Sequence, residues 1–186
     1  FLGTQLEHLD WQGGGAWQLG LRGGVVLQAR ALLLATGLRP RRPELFFPPA
    51  ALQSERVMDA IALTARRESL IPGRILLLGG GDNAVENALY LRQRGHQVTL
   101  WSRSDWRAQA ALVEQLHDQG PALIQRPRCP LPTCLTPDET GVSVMSKDHG
   151  TERFDQVAVL LGYEAEPSAW LLVADALQRA GITAPA

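Results

Sequence analysis

Ile75-Leu76-Leu77-Leu78-Gly79-Gly80-Gly81-Asp82-Asn83-Ala84 is the stretch on which the fold of this chain turns. Four aliphatic residues in a row suit a strand buried on both faces, as in a parallel sheet. Three glycines and an aspartate follow as a tight turn. From Val85 to Arg94 the apolar residues Val85, Ala88 and Leu89 recur at helical spacing, and Gly95 stands where a left-handed residue closes a helix. Gln97–Trp101 reads as a second strand. Strand, turn, helix and strand in about 28 residues make a βαβ unit, whose crossover is expected to be right-handed.

Gly79-x-Gly81-x-x-Ala84 fits the G-x-G-x-x-G/A fingerprint of a dinucleotide-binding turn. Gly79 lets the chain turn off the strand, with Gly80 in the same turn. Gly81 has no Cβ, so a pyrophosphate can reach the backbone. Ala84 is small enough for helix and sheet to pack closely. Free N–H groups at the helix start then face the phosphates, and the helix dipole favours the anion. Asp82 or Asn83 is the expected helix cap, and the Asp82 carboxylate must point away from the pyrophosphate.

The end of the second strand selects the cofactor. A carboxylate there binds the ribose 2′-hydroxyl of NAD, but this chain has Trp101-Ser102-Arg103-Ser104, with Arg107 beyond. Arg103 and Arg107 suit a 2′-phosphate through bidentate, charge-assisted hydrogen bonds. Ser102 and Ser104 add hydroxyl donors. NADP is thereby favoured over NAD. The plainer reading makes the two arginines a solvated helix start paired with Asp105. Trp101 and Trp106 read as surface-packing rings, with stacking on adenine as the alternative.

Moving outward, residues 1–37 read as strands. Trp17–Leu21 alternates, Gly13–Gly15 and Gly23-Gly24 are hairpin turns, and Ala29–Ala35 is an apolar strand ending at Thr36-Gly37. Pro40, Pro43, Pro48 and Pro49 indicate a linker, and Ser54–Arg67 has helical spacing. A second helix is expected over Trp106–Gln119, with Ala110, Val113, Leu116 and His117 inward. Short strands are expected at Ala122–Gln125, Val142–Ser146 and Asp155–Leu161. A loose repeat relates residues 1–40 to 122–167, through chance or through two related nucleotide domains.

Composition excludes several classes. Eighteen basic and nineteen acidic residues leave a net charge of −1, which argues against a nucleic-acid surface. No apolar run reaches the roughly 18 residues of a membrane span. Two cysteines are too few for a disulfide scaffold and point to a reducing, cytoplasmic compartment. Four scattered histidines give a metal site no support, so none is expected. Cys129 and Cys134, in C-P-L-P-T-C, read as plain loop cysteines with no base nearby, with a redox role as the alternative. No catalytic residue is assigned.

Ile75–Ala88 (ILLLGGGDNAVENA) with Val98–Ala108 (VTLWSRSDWRA) resembles the NADPH domain of thioredoxin-reductase-like flavoproteins, within the pyridine nucleotide-disulfide oxidoreductase family. That family carries an H-R-R-x-x-x-R-A stretch. Arg103 and Arg107 match two of its arginines if one residue is deleted here, while Ser104 replaces another. Ala35-Thr36-Gly37 resembles the hand-over from FAD domain to NADPH domain, and Leu161-Gly162 through Pro167 resembles the return. No C-x-x-C lies between Gly37 and Gly79, which resembles the branch that lacks the redox disulfide and includes ferredoxin-NADP reductases.

The resemblance implies an α/β fold: a Rossmann-like parallel sheet with helices and a β-meander, plus strands from a truncated second, FAD domain. It divides the chain into residues 1–43, the tail of an FAD-binding domain; 44–73, linker and helix; 74–163, the NAD(P)H-binding domain; and 164–186, a return segment. The expected cofactors are NADP(H) and FAD, with most of the FAD site outside Phe1–Ala186, so that the segment alone is expected to be inactive. The expected cofactor-binding set is Gly79–Ala84, Ser102, Arg103, Ser104, Arg107, Gly162, Thr36 and Gly37. The whole enzyme would pass a hydride from NADPH to flavin and electrons to an unidentified acceptor. A homodimer is the assembly considered. The alternatives are the NADPH domain of a flavin monooxygenase, a nucleotide-sensing Rossmann module without catalysis, and a fold that binds nothing.

Overall fold

The structure is a computed structural model and describes residues 3–41, 43–165 and 167–182. In chain order the strands begin with β1 (Leu6–Trp11), β2 (Trp17–Leu21), β3 (Val25–Ala29) and β4 (Leu38–Pro40). Then come α1 (Pro49–Leu52), β5 (Val57–Met58), α2 (Ala60–Arg66), β6 (Arg74–Leu78), α3 (Asp82–Gln93), β7 (Gln97–Trp101) and α4 (Ala110–His117). The remainder is β8 (Leu123–Arg126), β9 (Cys134–Pro137), β10 (Val142–Ser146), β11 (Gly150–Phe154), β12 (Gln156–Val159), β13 (Tyr163–Ala165) and α5 (Pro167–Arg179). The chain divides into two compact units, Pro40–Tyr163 and a second one built from residues up to Arg39 and from Glu164 onward.

The larger unit is a five-stranded parallel sheet in the order β5-β12-β6-β7-β8, as the α/β expectation requires. Central β6 explains its own composition. Ile75 and Leu77 face α2, α3 and α4 in one core, whereas Leu76 and Leu78 face Leu135, Val142, Val144 and Phe154 in another. The second cover is the antiparallel meander β11-β10-β9. A strand covered on both faces cannot alternate with polar residues, so it reads as an unbroken apolar run. Arg94 and Gly95 end α3, and Gly95 takes φ +88 as expected.

Several local readings are corrected. Ser54–Arg67 is not one helix. Val57 and Met58 form β5 on β12, and α2 starts only after Asp59, whose carboxylate accepts the Ala62 N–H at 2.7 Å. Partners across the sheet override the helical spacing of so short a segment. Pro48 and Pro49 start α1 instead of breaking structure, since a missing N–H costs nothing in the first helical turn. Helix α4 is shorter than expected, with Leu112 and Leu116 inward and Ala110 and His117 exposed. Strands β9 and β11 form in segments for which no strand was expected.

In the smaller unit, β1-β2-β3 form an antiparallel meander around the glycine turns, all five glycines at positive φ. Leu9 is fully buried, with Val173 and Ala176 of α5 beside it. The Arg179 guanidinium donates to the Leu9 carbonyl at 2.7 Å and to Asp10 Oδ1 at 3.0 Å. The expected buried strand Ala29–Ala35 is not formed. Only Ala29 belongs to β3, and residues 30–37 have no regular structure. Leu32 and Leu34 pack against the small core, but Leu33 is 90% exposed. Among the described residues no strand borders this run.

A candidate nucleotide cleft at the strand ends

The strands β6, β7 and β12 end level, with Leu78 opposite both Trp101 and Val159. Strand order reverses on either side of β6: the chain runs from β6 to β7 and β8 in one direction and places β12 on the other. Open parallel sheets form a crevice at such a point. Gly79 donates its N–H to the Trp101 carbonyl at 2.8 Å, and Leu160 donates to Leu78 at 2.7 Å. A Cβ on Gly79 would collide with the Leu160 carbonyl, so glycine is required there by the approach of two strand ends. Gly80 is required by a second approach, because a Cβ there would overlap the Ser102 hydroxyl. Around Gly81 there is open space.

Helix α3 starts at Asp82, with Gly81 as its cap residue. This corrects the expectation that Asp82 or Asn83 caps it. The Gly81 carbonyl already accepts from Ala84 and Val85 at 3.0 and 3.1 Å, so the helix begins one residue early. Asp82 instead accepts the Gln109 N–H at 2.7 Å and holds the start of α4. Among the described residues, the N–H groups of Gly81, Asp82 and Asn83 have no acceptor. Asn83 Oδ1 is buried without a partner. Ala84 is 1% exposed and packs α3 on the sheet.

These groups border a cleft of about 610 Å³. It brings together Gly79–Ala84, Ser102, Arg103, Ser104, Arg107 and Gly162. Thr36 and Gly37 belong to the smaller unit and do not line it. Ser102 is 3% exposed, and its Oγ lies under Gly80 and accepts the Ser104 N–H at 3.3 Å, so it shapes the loop. Ser104 donates to the Asp105 carbonyl at 3.1 Å. Arg103 and Arg107 are exposed and have no carboxylate partner among the described residues. Asp105 pairs with Arg128 instead, at 2.5 and 3.0 Å. The Arg103 guanidinium lies 5.9 Å from the Phe46 ring. The Arg107 N–H donates to the Gly80 carbonyl at 2.6 Å, which ties the arginine loop to the glycine turn.

Sequence reasoning missed Arg41 and Tyr163, which also line the cleft. Arg41 is brought there by its N–H bond to the Gly162 carbonyl at 2.9 Å, a contact across more than a hundred residues. The only available signal was the basic cluster around Pro40. Trp101 is 1% exposed, which excludes it from stacking on a ligand, and Trp106 packs on the helical core. The expectation that Cys129 has no base beside it is also corrected. His149, 20 positions away in sequence, places Nε2 at 3.4 Å from the thiol. Among the described residues no group of three or more His, Cys, Asp or Glu is placed to hold a metal, and no helix is long and apolar enough to cross a membrane.

Parallel sheet, glycine turn and cleft at the strand ends define a Rossmann-type α/β unit. The particular family follows from comparison: the profile described as "Pyridine nucleotide-disulphide oxidoreductase" matches residues 12–182, and the chain belongs to that family. It is 34% identical over 122 residues to the ferredoxin–NADP reductase of Gluconacetobacter diazotrophicus, covering 63% of this chain and 34% of that protein. It is 30% identical over 171 residues to the ferredoxin–NAD(+) reductase component of the anthranilate 1,2-dioxygenase system of Burkholderia cepacia, covering 87% and 40%. The chain thus spans about a third to a half of the length of the curated relatives it matches. Among solved structures, Lactococcus lactis thioredoxin reductase superposes with TM-score 0.70 at 20% identity, covering 96% of this chain and 57% of that one. The L-lysine 6-monooxygenase of Pseudomonas syringae gives 0.66 at 16%, covering 95% and 56%. At such identities the two structures speak for the fold alone.

Proposed function

We propose that the cleft binds NADP(H) and that this chain is the nicotinamide-nucleotide portion of an FAD-dependent oxidoreductase of the ferredoxin–NADP reductase kind. One observation carries the reading: three unbonded amides at the start of α3 face an open cleft that also holds guanidinium groups without carboxylate partners. The donors suit the ligand. Amides and the helix dipole take the pyrophosphate, and Gly81 leaves room for it. Arg103 and Arg107 take the 2′-phosphate, each charge-assisted bond contributing about 1.5–3 kcal/mol. Arg41 adds positive charge to the cleft, while Thr36 and Gly37 belong to the FAD side. The domain division proposed is 1–43 and 164–186 with the flavin, 74–163 with the nicotinamide nucleotide, and 44–73 between them. When bound in this cleft, NADPH would supply a hydride for a flavin, and the electrons would pass to a ferredoxin-type acceptor, as in the relatives' names.

Titration of the purified chain with NADPH and NADH tests this. Preference for NADPH, lost in the Arg103→Ala/Arg107→Ala double variant, is the expected result, and equal affinities in the unaltered chain would refute the NADP assignment. The second reading is NAD. It draws on the Burkholderia relative's name and on Ser104, which stands where the family has an arginine.

A further inference from the structure

Outside the cleft, the chain places a thiol and an imidazole together. Cys129 Sγ lies 3.4 Å from His149 Nε2, with the thiol only partly buried. Both partners are held. The His149 ring stands edge-on to Trp101, centroids 5.2 Å apart at 87°, and the backbone N–H of His149 donates to Ser146 Oγ at 3.1 Å. Trp101 Nε1 donates to the carbonyls of Cys129 and Pro130 at 3.2 and 3.0 Å. Arg126, which holds Glu152, lies 5.2 Å from the Trp101 ring. Among the described residues, Cys134 has only the Thr136 hydroxyl, 3.5 Å away.

The same loop is laced to the arginine loop of the cleft. Cys129 N–H donates to the Ser102 carbonyl at 2.9 Å, and Arg128 N–H to the Ser104 carbonyl at 3.1 Å. Arg128 grips Asp105 in a bidentate ion pair, although it is the one described non-glycine residue at positive φ, +58. Strain of this kind persists only where surrounding contacts enforce it. A group added to Cys129 therefore bears on Ser102–Arg107.

We propose that Cys129 and His149 form a thiol–imidazole pair that undergoes thiol–disulfide exchange with low-molecular-weight disulfides, and that the adduct disturbs the arginine loop of the nucleotide cleft; the second half rests on the function proposed above. The exchange balances as Cys129–SH + R–S–S–R → Cys129–S–S–R + RSH. His149 Nε2 takes the thiol proton, the thiolate attacks one sulfur, the S–S bond of the small disulfide breaks, and the other sulfur leaves as RS⁻ and recovers the proton from His149. Cys129 is oxidised and one half of the disulfide is reduced.

The test uses the full chain with dithiobisnitrobenzoate for rates and oxidised glutathione for the adduct, located by peptide mass. Cys129 is expected to react about tenfold faster than Cys134 near neutral pH, and His149→Ala to remove that advantage. His149→Gln, which keeps polar bulk but takes no proton, should do the same and stands in if His149→Ala fails to fold. Equal rates for the two cysteines, or a full rate in a folded His149 variant, overturn the pair. The Cys129 adduct is expected to speed hydrogen exchange across Ser102–Arg107 and to weaken NADPH binding about fivefold or more, reversibly with dithiothreitol. Unchanged exchange there overturns the coupling. Should the unmodified chain bind no NADPH, the proposed function falls, while labelling and exchange still decide this proposal.

Discussion

Two leucine-rich runs, Ala31–Ala35 and Ile75–Leu78, are alike in composition and opposite in surroundings. All four residues of the second are fully buried. Strands β12 and β7 flank it, and helices and a meander cover its faces. In the first, Leu33 is 90% exposed, and only Leu32 and Leu34 find cover. An apolar run states a need for cover. Neighbouring strands and layers decide whether it is met.

The largest test of this contrast is Leu77→Ala. It should cost about 2–5 kcal/mol of the larger unit's stability in urea unfolding, through the cavity left at the sheet centre. A loss below about 1 kcal/mol would mean that the centre is loosely packed. Next come two glycines of one turn. Gly79→Ala drives a methyl into the Leu160 backbone and should destabilise by about 1–3 kcal/mol, read as a lowered Tm. Gly81→Ala points into open space, so stability should change by less than about 1 kcal/mol while NADPH affinity falls about tenfold. Reversal of that pattern would show that Gly81, not Gly79, supports the strand ends.

Acid is a finer probe of the larger unit. His96 is buried, its Nε2 has no partner, and burial holds its pKa below the ordinary 6.5. Below about 6.5 the unfolded chain takes a proton that the folded chain resists, so stability present at neutral pH is lost on acidification. His96→Gln should flatten that slope. Glu152 extends the effect to lower pH. The Arg126 guanidinium holds its carboxyl below the ordinary 4.5, so its contribution is present above that value and is lost as pH falls further. Leu33→Ser should have the smallest effect, within about 0.5 kcal/mol, because the side chain already faces water. A larger loss would show that the run is covered after all.

Much of the candidate site was legible because its signals are local. Strand, turn and helix from Ile75 to Gly95 are set by neighbours a few positions apart, and the glycine pattern states its own steric reason. The helix over Ser54–Arg67 misled for the opposite reason: Val57 and Met58 answer to β12, a hundred residues later. Strands β9 and β11 hid in proline-rich and polar segments because a meander needs only one covered face.

By itself, the amino-acid order determined the βαβ unit, the glycine turn and the guanidinium-bearing loop after β7. Tertiary structure alone decided that Arg41 joins the cleft, that Asp82 holds α4, that Asp105 leaves Arg103 and Arg107 for Arg128, and that Cys129 meets His149. Turns and helices are settled by bonds to residues three or four away. Each of those four placements joins residues that lie far apart in sequence and that the sheet brings together.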